Sequence, residues 1–191
     1  LDHPEFKDLE AGIVLQAYLP DSFLRQQELV EWAKKRIKGG GSPVKMSLVK
    51  GANLAMETLE AEIQSWPLTV YDSKIETDAN FKRMLEFGLR PENIAAVHFG
   101  LASHNLFDLA YTMVLADKHG ISKGLIFEML EGMADHIRRA LQETFQIRYE
   151  FEIIDAAENK SKTLIPKNQP PTTNHQPSVQ NSKLLLPGFS T

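Results

Sequence analysis

Val-Lys-Met-Ser-Leu-Val-Lys-Gly-Ala-Asn-Leu-Ala-Met-Glu, residues 44–57, runs from an apolar, partly β-branched stretch through Lys50-Gly51-Ala52 straight into an amphipathic helical pattern. A strand that passes through glycine into a helix exposes backbone without side chains, together with the free N–H groups of the helix start. A bound cofactor can approach both. Many α/β proteins also place a glycine at such a junction for packing alone, so the rest of the chain decides what the junction means.

The same alternation extends in both directions. Residues 12–18 form a short apolar run broken by Gln16, which predicts a strand buried on both faces. A helix is predicted from Ser22 to about Ile37, with Phe23, Val30, Ala33 and Ile37 on one face and Lys34, Lys35, Arg36 and Lys38 near its negative end. Gly39-Gly40-Gly41 stops it. Strand 44–49 leads to a helix from Leu54 to about Ser65, ended by Trp66-Pro67. Asp78 is read as the cap of a helix running through Phe81, Met84 and Leu85 to Gly88. A third strand, Ile94–Phe99, delivers Ser103-His104-Asn105 to a helix closed by His119-Gly120, and a fourth, Leu125–Leu130, precedes helix 133–143. Four strand–helix alternations imply βα units joined by right-handed crossovers.

Beyond Thr144 the pattern changes. Phe145, Ile147, Tyr149, Phe151 and Ile153 alternate with polar residues and predict one lone, half-buried strand. Ser161 to Lys183 holds four prolines and almost nothing apolar, which predicts disorder, and Leu184-Leu185-Leu186 is too short to form an element.

The 191 residues, 42% of them hydrophobic, are enough for one ordinary core, and the net charge of −4 is spread over both signs, which argues against nucleic acid as a partner. No run approaches the roughly 18–20 apolar residues of a membrane span, and the N-terminus has no export signal pattern. With no cysteine, disulfides and thiolate chemistry are excluded. The expectation is a cytoplasmic protein. The six histidines lack metal-ligand spacing, so no metal site is expected.

Working side chains in a parallel βα array sit at the C-terminal ends of strands. Here those ends offer Gln16 and Tyr18; Lys50-Gly51-Ala52-Asn53; Ser103-His104-Asn105; and Glu128, Leu130 and Glu131. The set is rich in amides and backbone, with one histidine. It lacks paired catalytic carboxylates, a nucleophile elbow and a phosphate-binding P-loop, and suits a planar cofactor better. Each residue also has a plainer reading. Gln16 can bond a neighbouring loop, Lys50 can be a solvated strand-end charge, His104 can assist a helix cap, Leu130 can be core, and Arg138-Arg139 can be an exposed helix face.

Five segments in order, Ala11–Ser22, Leu48–Glu57, Lys74–Asn80, Ala102–Asn105 and Phe127–Met133, resemble the proline dehydrogenase barrel, most closely the form in bifunctional proline utilization A proteins. The resemblance covers about residues 1–144. It implies an α/β fold, part of a TIM-type (β/α)8 barrel comprising strands five to eight only. It also implies an FAD enzyme that oxidises L-proline to pyrroline-5-carboxylate and passes electrons to a quinone, with peripheral membrane contact in the full-length family. By motif, Gln16 resembles the glutamine that bonds the isoalloxazine, and Val49, Lys50, Gly51 and Ala52 the turn beside the ring and phosphate chain. Lys74 and Thr77 lie in the segment that meets the adenosine end, His104 and Asn105 match a pair beside the cofactor, and Leu130 matches a residue against the proline ring.

Two departures accompany the resemblance. The family carries an arginine, aimed at the hydride-accepting flavin nitrogen, where this chain has Ser47. A neutral hydroxyl cannot stabilise an anionic reduced flavin as a guanidinium does, so no complete catalytic set is expected. The first four βα units, and the final helix with its Arg-Arg-x-x-Glu-Asn motif, are expected to lie outside this chain; Arg138-Arg139 is not that pair. Residues 145–191 are expected to be an unrelated, largely disordered tail from a frameshift, gene interruption or recombination. A half-barrel leaves unpaired edges, so inactivity alone, self-association or a complementing half-barrel is expected, with a non-catalytic, partner-binding remnant as the alternative function.

Overall fold

The computed structural model describes residues 1, 3–145, 149–155 and 160–164. Strands β1 (Gly12–Gln16), β2 (Val44–Val49), β3 (Val97–Ala102), β4 (Leu125–Leu130) and β5 (Glu150–Asp155) lie side by side in chain order, all parallel. Strand β6 (Lys160–Leu164) adds antiparallel to β5, so β1 and β6 are the sheet edges. Between them run α1 (Ser22–Lys38), α2 (Leu54–Gln64), α3 (Lys74–Gly88), α4 (Pro91–Ile94), α5 (Leu106–Lys118) and α6 (Asp135–Phe145). Among the described residues no helix is long and apolar enough to cross a membrane.

The period of two along each strand divides the sheet into unlike faces. Met46, Leu48, Phe99, Leu101 and Phe127 are fully buried against Val30 and Ala33 of α1, Phe81, Met84 and Leu85 of α3, and Leu109 and Ala116 of α5. Each large side chain in this layer contributes roughly 1.5–3 kcal/mol of burial. The opposite, inner face carries Val14, Lys45, Ser47, Val49, His98, Gly100, Ile126, Glu128 and Leu130, the alternate positions of the same registers. Among the described residues no helix covers it, and Val14 is 45% exposed. One covered and one open face is what a section of a parallel barrel wall presents.

Several expected boundaries move for local reasons. α3 starts at Lys74, not Asp78, because Ser73 and Glu76 form a reciprocal capping box. β3 runs over Val97–Ala102 and not Ile94–Phe99: Arg90 is extended before Pro91, Pro91–Ile94 makes a helical turn, and the Asn93 side chain donates to Phe87 O at 2.7 Å. β1 ends at Gln16 and α6 begins at Asp135.

The larger correction concerns the strand expected to stand alone. β5 is a fifth parallel strand, which makes the expected count of four too small. Phe151 stacks on Phe127 at 5.6 Å between centroids, and Tyr149 meets the same ring edge-on at 5.4 Å. Both rings are buried, so the aromatic cluster draws this segment onto the sheet. Ser161–Leu164, expected to be disordered, pairs with β5. The rest of the expected tail, 165–191, lies outside the described residues.

Candidate functional site

The C-terminal ends of β1 to β4 form one rim. At its β1–β2 end, the Gln16 side-chain oxygen accepts from Ala52 N–H at 3.0 Å, tying the strand tip to the glycine turn. Ala17 and Tyr18 N–H donate to Val49 O and Lys50 O, each at 2.8 Å, so the tips stay paired past the end of β1. Gly51 is exposed, and a Cβ there would lie 2.7 Å from Cγ of Tyr18. The glycine therefore serves packing and at the same time leaves open main chain. The Tyr18 hydroxyl donates to Glu57 at 3.3 Å; burial, then the Glu57 charge, raises its pKa.

At the β3–β4 end, His104 does not cap α5. Its Nε2 accepts from Leu130 N–H at 3.1 Å, which orients the ring and requires that nitrogen unprotonated. The cap is Asn105, whose side chain accepts from Phe107 N–H at 2.9 Å. Leu130 is half-buried on the inner face, where β4 ends.

Lys50 is not a solvated charge. Its ammonium lies 2.7 Å from Asp78 Oδ1 and 2.9 Å from Asp108 Oδ2, and 5.2 Å from the centre of the Phe81 ring. It thus fastens the β2 tip to α3 and α5. Burial works against the ammonium, but its hydrogen bonds to Asp78 and Asp108 outweigh that and raise its pKa. Asp78 also pairs with Lys74, and hydrogen bonds to Lys50 and Lys74 lower its pKa. Thr77, in the same first turn of α3, donates to Ser73 O at 3.4 Å. A continuous polar chain therefore links Lys74, Asp78, Lys50, Asp108 and Ser103, whose hydroxyl lies 3.4 Å from Asp108.

Below the rim, Ser47 donates to Glu128 Oε1 at 2.7 Å, and Lys45 Nζ lies 2.8 Å from the same oxygen. Lys45 also pairs with Glu152 of β5. Burial opposes the Lys45 ammonium, yet the Glu128 charge and hydrogen bonds to both glutamates raise its pKa.

The sequence profile of the proline dehydrogenase family matches residues 1–154. The chain belongs to the proline dehydrogenase family. This family member is 49% identical to proline utilization A from Corynebacterium freiburgense, with a TM-score of 0.70 over 74% of this chain and 15% of that one. It is 43% identical to proline utilization A from Bdellovibrio bacteriovorus inactivated by N-propargylglycine, with a TM-score of 0.67 over 74% of this chain and 14% of that one. A proline utilization A from Bradyrhizobium japonicum, 22% identical at a TM-score of 0.61, shares the fold. The chain thus spans about a seventh of the length of these structures. No curated protein matches the sequence.

The geometry brings Gln16 to the Val49–Ala52 turn, His104 to Leu130, and Lys50 to Lys74 through Asp78. Asp108, Gly100, Lys45 and Glu152 carry no local motif, and Asp78, expected to cap α3, instead pairs with Lys50 and Lys74. An acidic residue in the first turn of α5 was the one available signal for Asp108.

Proposed function

We propose that this chain carries part of an FAD-dependent proline dehydrogenase site, for oxidation of L-proline to pyrroline-5-carboxylate with electrons passed to a quinone. The observation that carries the reading is the cross-linked rim, Gln16 bonded to Ala52 and His104 bonded to Leu130, within a chain of this family. FAD, when bound, supplies the hydride acceptor. Gln16 and Val49–Ala52 would hold its ring and phosphate chain, Lys74 and Thr77 its adenosine end, and His104 and Asn105 its flank, while Leu130 would pack on proline.

The residues present fit that group where contact is through amide and open backbone: Gly51 and Ala52 are exposed, and position 51 lacks a Cβ. Lys50 acts as a positioning residue in this reading, since its charge is committed to Asp78 and Asp108. The fit fails at one point, because Ser47 brings no cation.

That failure, with the open inner face, supports a second reading: a non-catalytic half-barrel that binds a complementing half or a second copy. Purifying the chain and recording a flavin absorption band, then proline-dependent dye reduction, separates the two. Flavin with turnover supports the first reading. Flavin without turnover keeps the cofactor site and rejects catalysis by this chain alone, whereas colourless, inert protein supports the second.

A further inference from the structure

The amphipathic pattern of α2 is inverted. Its half-buried residues, Glu57, Thr58 and Ala61, lie on one side, while Met56, Leu59 and Ile63 lie on the opposite side and are 60%, 48% and 69% exposed. At the turn angle of an α-helix these three fall within about 60° of one another, so they form one apolar stripe that faces away from the sheet. Scattered exposed apolar residues are ordinary, whereas a contiguous stripe on a helix with no buried residue marks a contact surface. Beside the stripe, a groove of about 420 Å3 is lined by Glu57, Glu60, Ala61, Trp66, Pro67 and Thr69.

Charge selects the occupant. Glu60 borders the stripe on one flank and Glu62 on the other, and residues 51–73 contain no lysine, arginine or histidine. Lys50 and Lys74, the nearest cations along the chain, are committed to Asp78 and Asp108. A second copy docked α2 on α2 about a two-fold axis would set the carboxylates against one another, and an anionic bilayer would repel them.

We propose that α2 docks a helix of a partner protein, apolar along one stripe and carrying lysine or arginine on both flanks. The partner's apolar side chains cover Met56, Leu59 and Ile63, and its cations meet Glu60 and Glu62. One cation enters the groove beside Trp66, where indole and carboxylates both favour it. The proposal goes beyond the cofactor site and depends on neither flavin nor turnover.

Fluorescence anisotropy of a dye-labelled synthetic helix tests it on the full chain. The probe is a roughly 15-residue peptide with a leucine stripe flanked by lysines, and its companion has the same stripe flanked by glutamates. The lysine peptide should bind at least about tenfold tighter, and Met56→Ser or Ile63→Ser should weaken it about tenfold. Both positions are exposed, so the melting temperature should not change. Glu60→Lys/Glu62→Lys should invert the preference, whereas Glu28→Lys/Glu31→Lys, the same change of charge on exposed positions of α1, should not. Equal affinity for the two peptides overturns the proposal, as does lysine-peptide binding that ignores Ile63→Ser or responds alike to both charge reversals. A dimer dispersed by Ile63→Ser, or cosedimentation with phosphatidylglycerol vesicles, in the absence of any peptide preference overturns it in favour of a second copy or a membrane.

Discussion

Lys50→Met removes an ammonium held 2.7 Å from Asp78 and 2.9 Å from Asp108 while keeping the length and apolar stem of the side chain. The two pairs differ in weight. Asp108 is 7% exposed, and stranding a buried carboxylate costs about 3 kcal/mol, the low end of the range because the Ser103 hydroxyl remains nearby. Asp78 is 30% exposed and keeps Lys74, so its loss adds only about 0.5 kcal/mol. The sum, about 3.5 kcal/mol, corresponds to a fall of roughly 7–14 °C in melting temperature for a domain of this size. Circular dichroism melts of the wild type, Lys50→Met and Lys50→Met/Asp108→Asn measure it, and the double variant should recover a large part of the loss. The pKa directions give the pH dependence. The raised Lys50 value means its contribution is complete below the ordinary lysine pKa of about 10.4 and is lost as pH rises through the folded value. The lowered Asp78 value means its part is complete above about 3.9 and is lost as pH falls through the folded value. The difference between wild type and variant should therefore be flat between roughly pH 5 and 9 and shrink at both ends. A Lys50→Met protein that melts within about 1 kcal/mol of wild type refutes the clamp. If such a protein has also lost flavin binding, Lys50 is a ligand contact instead.

Gly88→Ala should lower the unfolding free energy from denaturant titration by about 3 kcal/mol, although alanine normally favours a helix over glycine by about 1 kcal/mol; the added Cβ would lie 2.2 Å from a ring carbon of buried Phe99. Gly51→Ala should cost about 1–2 kcal/mol by displacing the Tyr18 ring, and most of the cost should disappear in a Tyr18→Ala background, where only the Cβ contact at 3.2 Å is left. Ser73→Ala should destabilise by about 1 kcal/mol in urea unfolding by opening the capping box with Glu76, with no effect on the rim.

Periodicity and punctuation in the chain determined α1, β2, the Gly51 junction, α2 and β4 closely, because strand and helix repeats are local and their stop signals lie within a few residues. The family resemblance named the rim residues for the same reason: each belongs to a contiguous motif. The Ser73–Glu76 box is equally local, a Ser-x-x-Glu pattern just ahead of the Asp78 that also fits a cap. Other features were decided only in three dimensions. Lys50 meets Asp78 and Asp108, and Glu128 meets Ser47 and Lys45, across strands and helices far apart in the chain. Which carboxylate reaches which cation depends on strand register and on a missing Cβ at Gly100, neither of which a linear pattern encodes. β5 likewise gives an alternating pattern that suits any half-buried strand; only packing of Tyr149 and Phe151 around Phe127 assigns it a neighbour. Local sequence sets what each segment can be, and desolvation with register selects the partners it finds.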